Sequence, residues 1–97
     1  MNDKIIAVIQ DYQKTIQKRL IATYKELETA DDYKVNMLCN SVERYKSDLK
    51  RYDDIIIQLK NKNTDISYII NYLTKGATQM KSEHFRKRLR DIRKGGE

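Results

Sequence analysis

The sequence contains no proline and no tryptophan, and its three glycines all fall at position 76 or later. Nothing before residue 76 therefore breaks a helix or demands a left-handed turn, so long helices are the expected secondary structure. A single cysteine, Cys39, excludes an internal disulfide and fits a reducing compartment. Apolar runs such as Ile55-Ile56-Ile57 are short and bounded by charge or amide, here Asp54 and Gln58. They fall far below the ~18 residues of a membrane span. The start, Met1-Asn2-Asp3-Lys4, lacks a signal-peptide pattern, and a cytoplasmic chain without membrane contact is expected.

Chemistry is as scarce as breakers. His84 is the only histidine and Cys39 the only thiol, and the pattern places them on different helices. One of each cannot fill a four-ligand zinc site, and no glycine-rich loop is present to cradle a phosphate. Asp31-Asp32 and Asp53-Asp54 are adjacent pairs, which diverge by about 100° on a helix and suit caps or solvated faces better than a cation. No catalytic residue, metal or cofactor is expected, and the chain reads as a non-enzyme.

What the sequence does contain is periodicity. Between Val35 and Leu59 the apolar positions are Val35, Leu38, Val42, Tyr45, Leu49, Tyr52, Ile56 and Leu59, with steps alternating between three and four. That is an unbroken a/d heptad stripe, which a helix must bury against another helix. An earlier stripe, Ile5, Ile9, Tyr12, Ile16, Leu20, Tyr24 and Leu27, is widened by Ile6, Val8 and Ile21. Thr29-Ala30-Asp31-Asp32 is the expected break between them, with Thr29 or Asp31 as cap; a helix continuous through Ala30 is the alternative. Seven tyrosines against one phenylalanine suit seams close to solvent.

Pairing direction follows from the flanking charges. In the heptad frame Asp48 is a g position and Asp53 the next e position. A parallel homodimer would set the two carboxylates against each other, so antiparallel packing is expected, within or between chains. The fold class is therefore all-α. A long, coiled-coil-like antiparallel hairpin (residues 1–62, helices about 3–28 and 31–60) is followed in the same domain by residues 63–97. These hold a short helix with Ile66, Ile69, Ile70 and Leu73, capped by Asn63 or Thr64 and stopped at Gly76, then a helix capped by Thr78 or Ser82. A two-helix hairpin leaves much of its stripes uncovered, so a homo-oligomer is expected.

The last helix carries the functional signal. Residues 79–94 hold Lys81, Arg86, Lys87, Arg88, Arg90, Arg93 and Lys94 against Glu83 and Asp91, which is +5 of the chain's +6. At 100° per residue, Leu89 and Ile92 lie within about 40° of Phe85. Arg93, Arg86, Arg90, Lys94 and Lys87 then span an arc from about 80° to 200°, with Arg88 on the other flank. Lysine outnumbers arginine 13 to 7 overall, yet four of the seven arginines are here. The arginine fork suits phosphate and carboxylate. The helix at Asp65–Thr74, a turn holding Gly76 and the helix that follows resemble, in spacing, bacterial helix-turn-helix regulators, in which the second helix reads the major groove.

Three functional classes follow from these features. The first is a binding protein that engages nucleic acid or a nucleoprotein through these basic residues. The second is an inhibitor or adaptor that meets a host protein through a helical face, and the third a coiled-coil assembly subunit. Ile, Lys, Asn and Tyr make up 38 residues, a bias that fits AT-rich coding and hence low-GC bacteria and their phages or plasmids.

Overall fold

The computed structural model describes residues 2–61, 65–75, 80 and 82–95. They form four helices, α1 (Asn2–Glu28), α2 (Asp32–Leu59), α3 (Ile66–Thr74) and α4 (Glu83–Gly95), and among the described residues no strand. The molecule measures 52 × 23 × 18 Å, so the two long helices set its length. None of the described helices is long and apolar enough to cross a membrane.

α1 and α2 form the antiparallel hairpin, and the break lies where the sequence placed it. Thr29 N–H donates to the Glu26 carbonyl at 3.2 Å, closing α1. Asp31 takes the N-cap position in extended backbone, but its side chain makes no cap bond; its carbonyl accepts from Lys34 and Val35 at 2.8 and 3.2 Å. At the other end of the hairpin Asn2 is the first residue of α1. Its side-chain amide donates to the Leu59 carbonyl at 2.6 Å, satisfying a last-turn carbonyl of α2.

The heptad stripe meets α1 of the same chain. Leu38, Val42, Tyr52, Ile56 and Leu59 are buried and Val35, Tyr45 and Leu49 half-buried. Asp53, a source of repulsion in a parallel pair, here accepts from the Gln13 amide at 2.7 Å, and that amide also reaches the Leu49 carbonyl at 3.3 Å. Gln13 is one of two buried polar side chains among the described residues, and the bonds across the hairpin offset its loss of water.

The core is confined to one half of the hairpin. Ile5, Ile9, Tyr12 and Ile16 of α1 join Tyr52, Ile56 and Leu59 of α2, Ile70 and Leu73 of α3, Met80 and Leu89 of α4 in one cluster. Leu38 and Val42 are buried outside it, and further out Ile21, Tyr24, Tyr33 and Met37 are exposed. The reason is visible along the flank of α1 that α4 covers. Below, it carries Val8 and Tyr12; one helical turn and more above, it carries Thr15, Arg19 and Glu26, which give a third helix nothing to bury.

α3 starts later than the sequence suggested. Asp65, rather than Asn63 or Thr64, is its N-cap, and the carboxylate accepts from Tyr68 N–H at 3.2 Å. α3 closes through Lys75 N–H onto the Asn71 carbonyl at 3.0 Å. Gly76 and Thr78, expected as stop and cap, fall outside the described residues. Ser82 supplies the carbonyl for Arg86 N–H at 3.0 Å, and α4 begins at Glu83. α3 thus ends at Thr74 and α4 begins at Glu83, with Met80 and Ser82 outside either helix.

Two outcomes follow from this uneven core. Ile9→Ala should cost about 2–5 kcal/mol in urea unfolding, whereas Tyr33→Ala or Met37→Ala should stay within about 0.5 kcal/mol. Burial, with the Tyr12 phenol beside it, pushes the Tyr52 hydroxyl well above the ordinary tyrosine range, and the nearby Arg51 opposes this only in part. The folded state therefore keeps a proton that the unfolded chain releases. That contribution to stability is intact below the ordinary tyrosine pKa and is lost as pH rises above it. In an absorbance titration one phenol should ionise after the others, and Tyr52→Phe should remove that late phase.

Candidate functional site

α4 reaches the hairpin through rings. Phe85 sits edge-on to Tyr12 with centroids 5.2 Å apart, and Tyr12 in turn meets Tyr52 at 5.4 Å and 89°. Such edge contacts add to the area the rings bury. Leu89 is fully buried and Ile92 half-buried, so the apolar edge that the sequence assigned to α4 is the edge that docks.

The arginines on both sides of this edge all have partners in the chain. Arg88 reaches across to Asp11 of α1 at 3.0 Å, and its guanidinium lies 5.6 Å from the Phe85 ring centre. Arg86, half-buried, pairs with Glu83 at 3.1 Å, and Arg90 bonds the other oxygen of the same carboxylate. Arg93 donates to the Asn71 side-chain carbonyl of α3. Lys87 and Lys94 are exposed and make no ion pair with any described residue, and Lys81 lies outside the described residues.

The seven basic positions are therefore not equivalent. Arg88 and Arg93 hold α4 to its neighbours, while Lys87, Arg90 and Lys94 point their charge outward. The outward face also carries Glu83, His84 and Asp91, all exposed, so it is mixed in sign. Exposed ion pairs of this kind are worth about 0–1 kcal/mol, so they orient the guanidiniums without committing them.

Charge is separated along the length of the molecule. Between residues 22 and 45, which include the hairpin tip, five acidic side chains face three basic ones. Among the described residues from 65 to 95, at the other end, seven basic side chains face three acidic ones. No group of three His, Cys, Asp or Glu side chains among the described residues comes together to hold a metal. Cys39 and His84 are both exposed, on α2 and α4.

Asp11, Glu83 and Asn71 act as the arginines' partners, and sequence reasoning did not pick out that role for any of them. Asp11 and Asn71 become partners only through the approach of separate helices, which no spacing rule reports. Glu83 to Arg86 is a local i, i+3 pair that spacing does report. Tyr68 and Tyr72 are a further omission. They stand four residues apart on α3, off the Ile66, Ile69, Ile70 and Leu73 stripe, and that offset alone marks them as outward-facing.

No protein-family model, no curated protein and no solved structure matches the chain.

A double-mutant cycle tests how firmly α4 is held by charge. Asp11→Ala and Arg88→Ala should couple by no more than about 1 kcal/mol in urea unfolding. Phe85→Ala should cost more than either, about 3–5 kcal/mol if the site cannot collapse around the gap.

Proposed function

We propose that the protein is a non-enzymatic binding module that engages nucleic acid or a nucleoprotein through the basic end built by α4. The observation that carries this reading is the separation of charge along a 52 Å molecule, with the cations gathered where α3 and α4 pack. A polyanion orients such a body in its field and is met by the basic end first. Lys87, Arg90 and Lys94 supply the outward charge. Arg88 and Arg93 are held by weak exposed contacts and exchange carboxylate or amide for phosphate at little cost.

A second reading is favoured by Glu83 and Asp91 on the outward face of α4. A face of mixed sign suits a protein surface better than a uniform polyanion, so the chain acts there as an inhibitor or adaptor on a host protein, of the kind a phage or plasmid encodes. The exposed Ile21, Tyr24, Tyr33 and Met37 around the far half of the hairpin also offer apolar area for a protein partner or for self-association.

Salt separates the two readings. With about five phosphates neutralised, log K for duplex DNA should fall with log[salt] at a slope of roughly −4 to −5. Replacing Lys87, Arg90 and Lys94 by alanine should flatten the slope by up to about three while the circular dichroism melt stays put. A protein-directed inhibitor gives no mobility shift with bare nucleic acid even near ~50 mM salt.

A further inference from the structure

Tyr68 and Tyr72 form the most exposed aromatic pair at the basic end of the molecule, at 68% and 38% of full exposure. They separate two depressions. One, of about 330 Å³, runs between α2 and α3 and is lined by the two rings together with Ile55, Ile69, Arg51 and Asp54. The other, of about 270 Å³, lies on the far side of the same two rings, against Asn71 and Lys75. Arg93 is tied to Asn71, so a second cation stands beside this depression, and Lys94 follows it on α4.

The core does not need these rings. α3 already buries Ile69, Ile70 and Leu73, and nine residues of helix give it little other surface to hide. Exposed rings with open space beside them offer π-faces, and the neighbouring charge is mostly positive. Flat π-faces beside cations are what an unpaired base and its phosphate recognise. A duplex cannot use them, since its bases already stack on one another. On the α2 side Arg51 and Asp54 offset each other, whereas the other side holds Lys75 and no carboxylate, so a strand's backbone is directed to the Lys75 side and its bases toward the rings.

We infer that the outer face of α3 is a stacking platform for unpaired bases of single-stranded nucleic acid, with Tyr68 and Tyr72 under the bases and Lys75, Arg93 and Lys94 along the phosphates. This rests on the nucleic-acid reading above and narrows it from any polyanion to single strands.

The test is fluorescence anisotropy with a labelled oligothymidylate and a duplex of equal length, using the full chain. The single strand should bind at least about tenfold tighter than the duplex. Tyr68→Ala and Tyr72→Ala should each weaken single-strand binding at least about fivefold and leave duplex binding unchanged. Tyr68→Phe and Tyr72→Phe, which keep the ring, should restore it. Crosslinking of the unaltered protein to an oligonucleotide carrying 5-iodouracil should map to Tyr68 or Tyr72, which frees the conclusion from any folding defect in a variant.

Adducts elsewhere overturn the inference. So do alanine variants that melt like the original and bind single strands as well as it does. If single-strand binding in those variants still falls when Lys87, Arg90 and Lys94 are also replaced, the phosphate reading survives and only the platform is lost. Failure of the original chain to bind either oligonucleotide overturns both, and binding to a protein target alone leaves the inhibitor reading in their place.

Discussion

Tyr12 touches Tyr52 on one side and Phe85 on the other, and at this short chain of rings three of the four helices meet. Remove it and α4 retains Leu89, Ile92 and a set of exposed ion pairs. Those pairs fix direction but hold little free energy. The basic end of the molecule is therefore positioned by hydrophobic burial, and its charge is carried on a helix that aromatic contact has already placed. This division of labour leaves the exposed ion pairs little part in placing the helix.

The same rings show what a sequence can and cannot disclose. The heptad steps from Val35 to Leu59 are a local, repeated signal, and they specify a buried face whatever covers it. Hence the hairpin, its break near Asp31 and the docking edge of α4 were all legible. What covers a face is a long-range fact. Asn2 bonding Leu59, Gln13 bonding Asp53 and Arg88 bonding Asp11 each join residues that only the completed hairpin brings together. The candidate site was legible as a tally of charge. Its division into outward lysines and bridging arginines was not, because the flank of a helix that meets a neighbour depends on where that neighbour packs. The helix-turn-helix resemblance rested on the same local signal: apolar spacing located both helices, and α3 and α4 lie there.

Stability is distributed unevenly as a result. At the end holding α3 and α4 the buried cluster draws residues from all four helices, whereas Leu38 and Val42 lie outside it on the arms of the hairpin. Local opening draws on contact density, so the tip opens more readily than the packed end. The polar flank at Thr15, Arg19 and Glu26 keeps it so, since no third helix of the chain has anything apolar to cover there.

The polarity of the molecule has a geometric consequence of its own. α4 runs beside α1, with Phe85 on Tyr12 and Arg88 on Asp11, so its outward cations face sideways off the 52 Å axis and line the flank of one half of the body. The acidic hairpin tip lies further along the same axis, clear of that flank. Anything drawn to the cationic flank would therefore lie against one half of the molecule and leave the other half projecting, with its carboxylates turned toward whatever comes next.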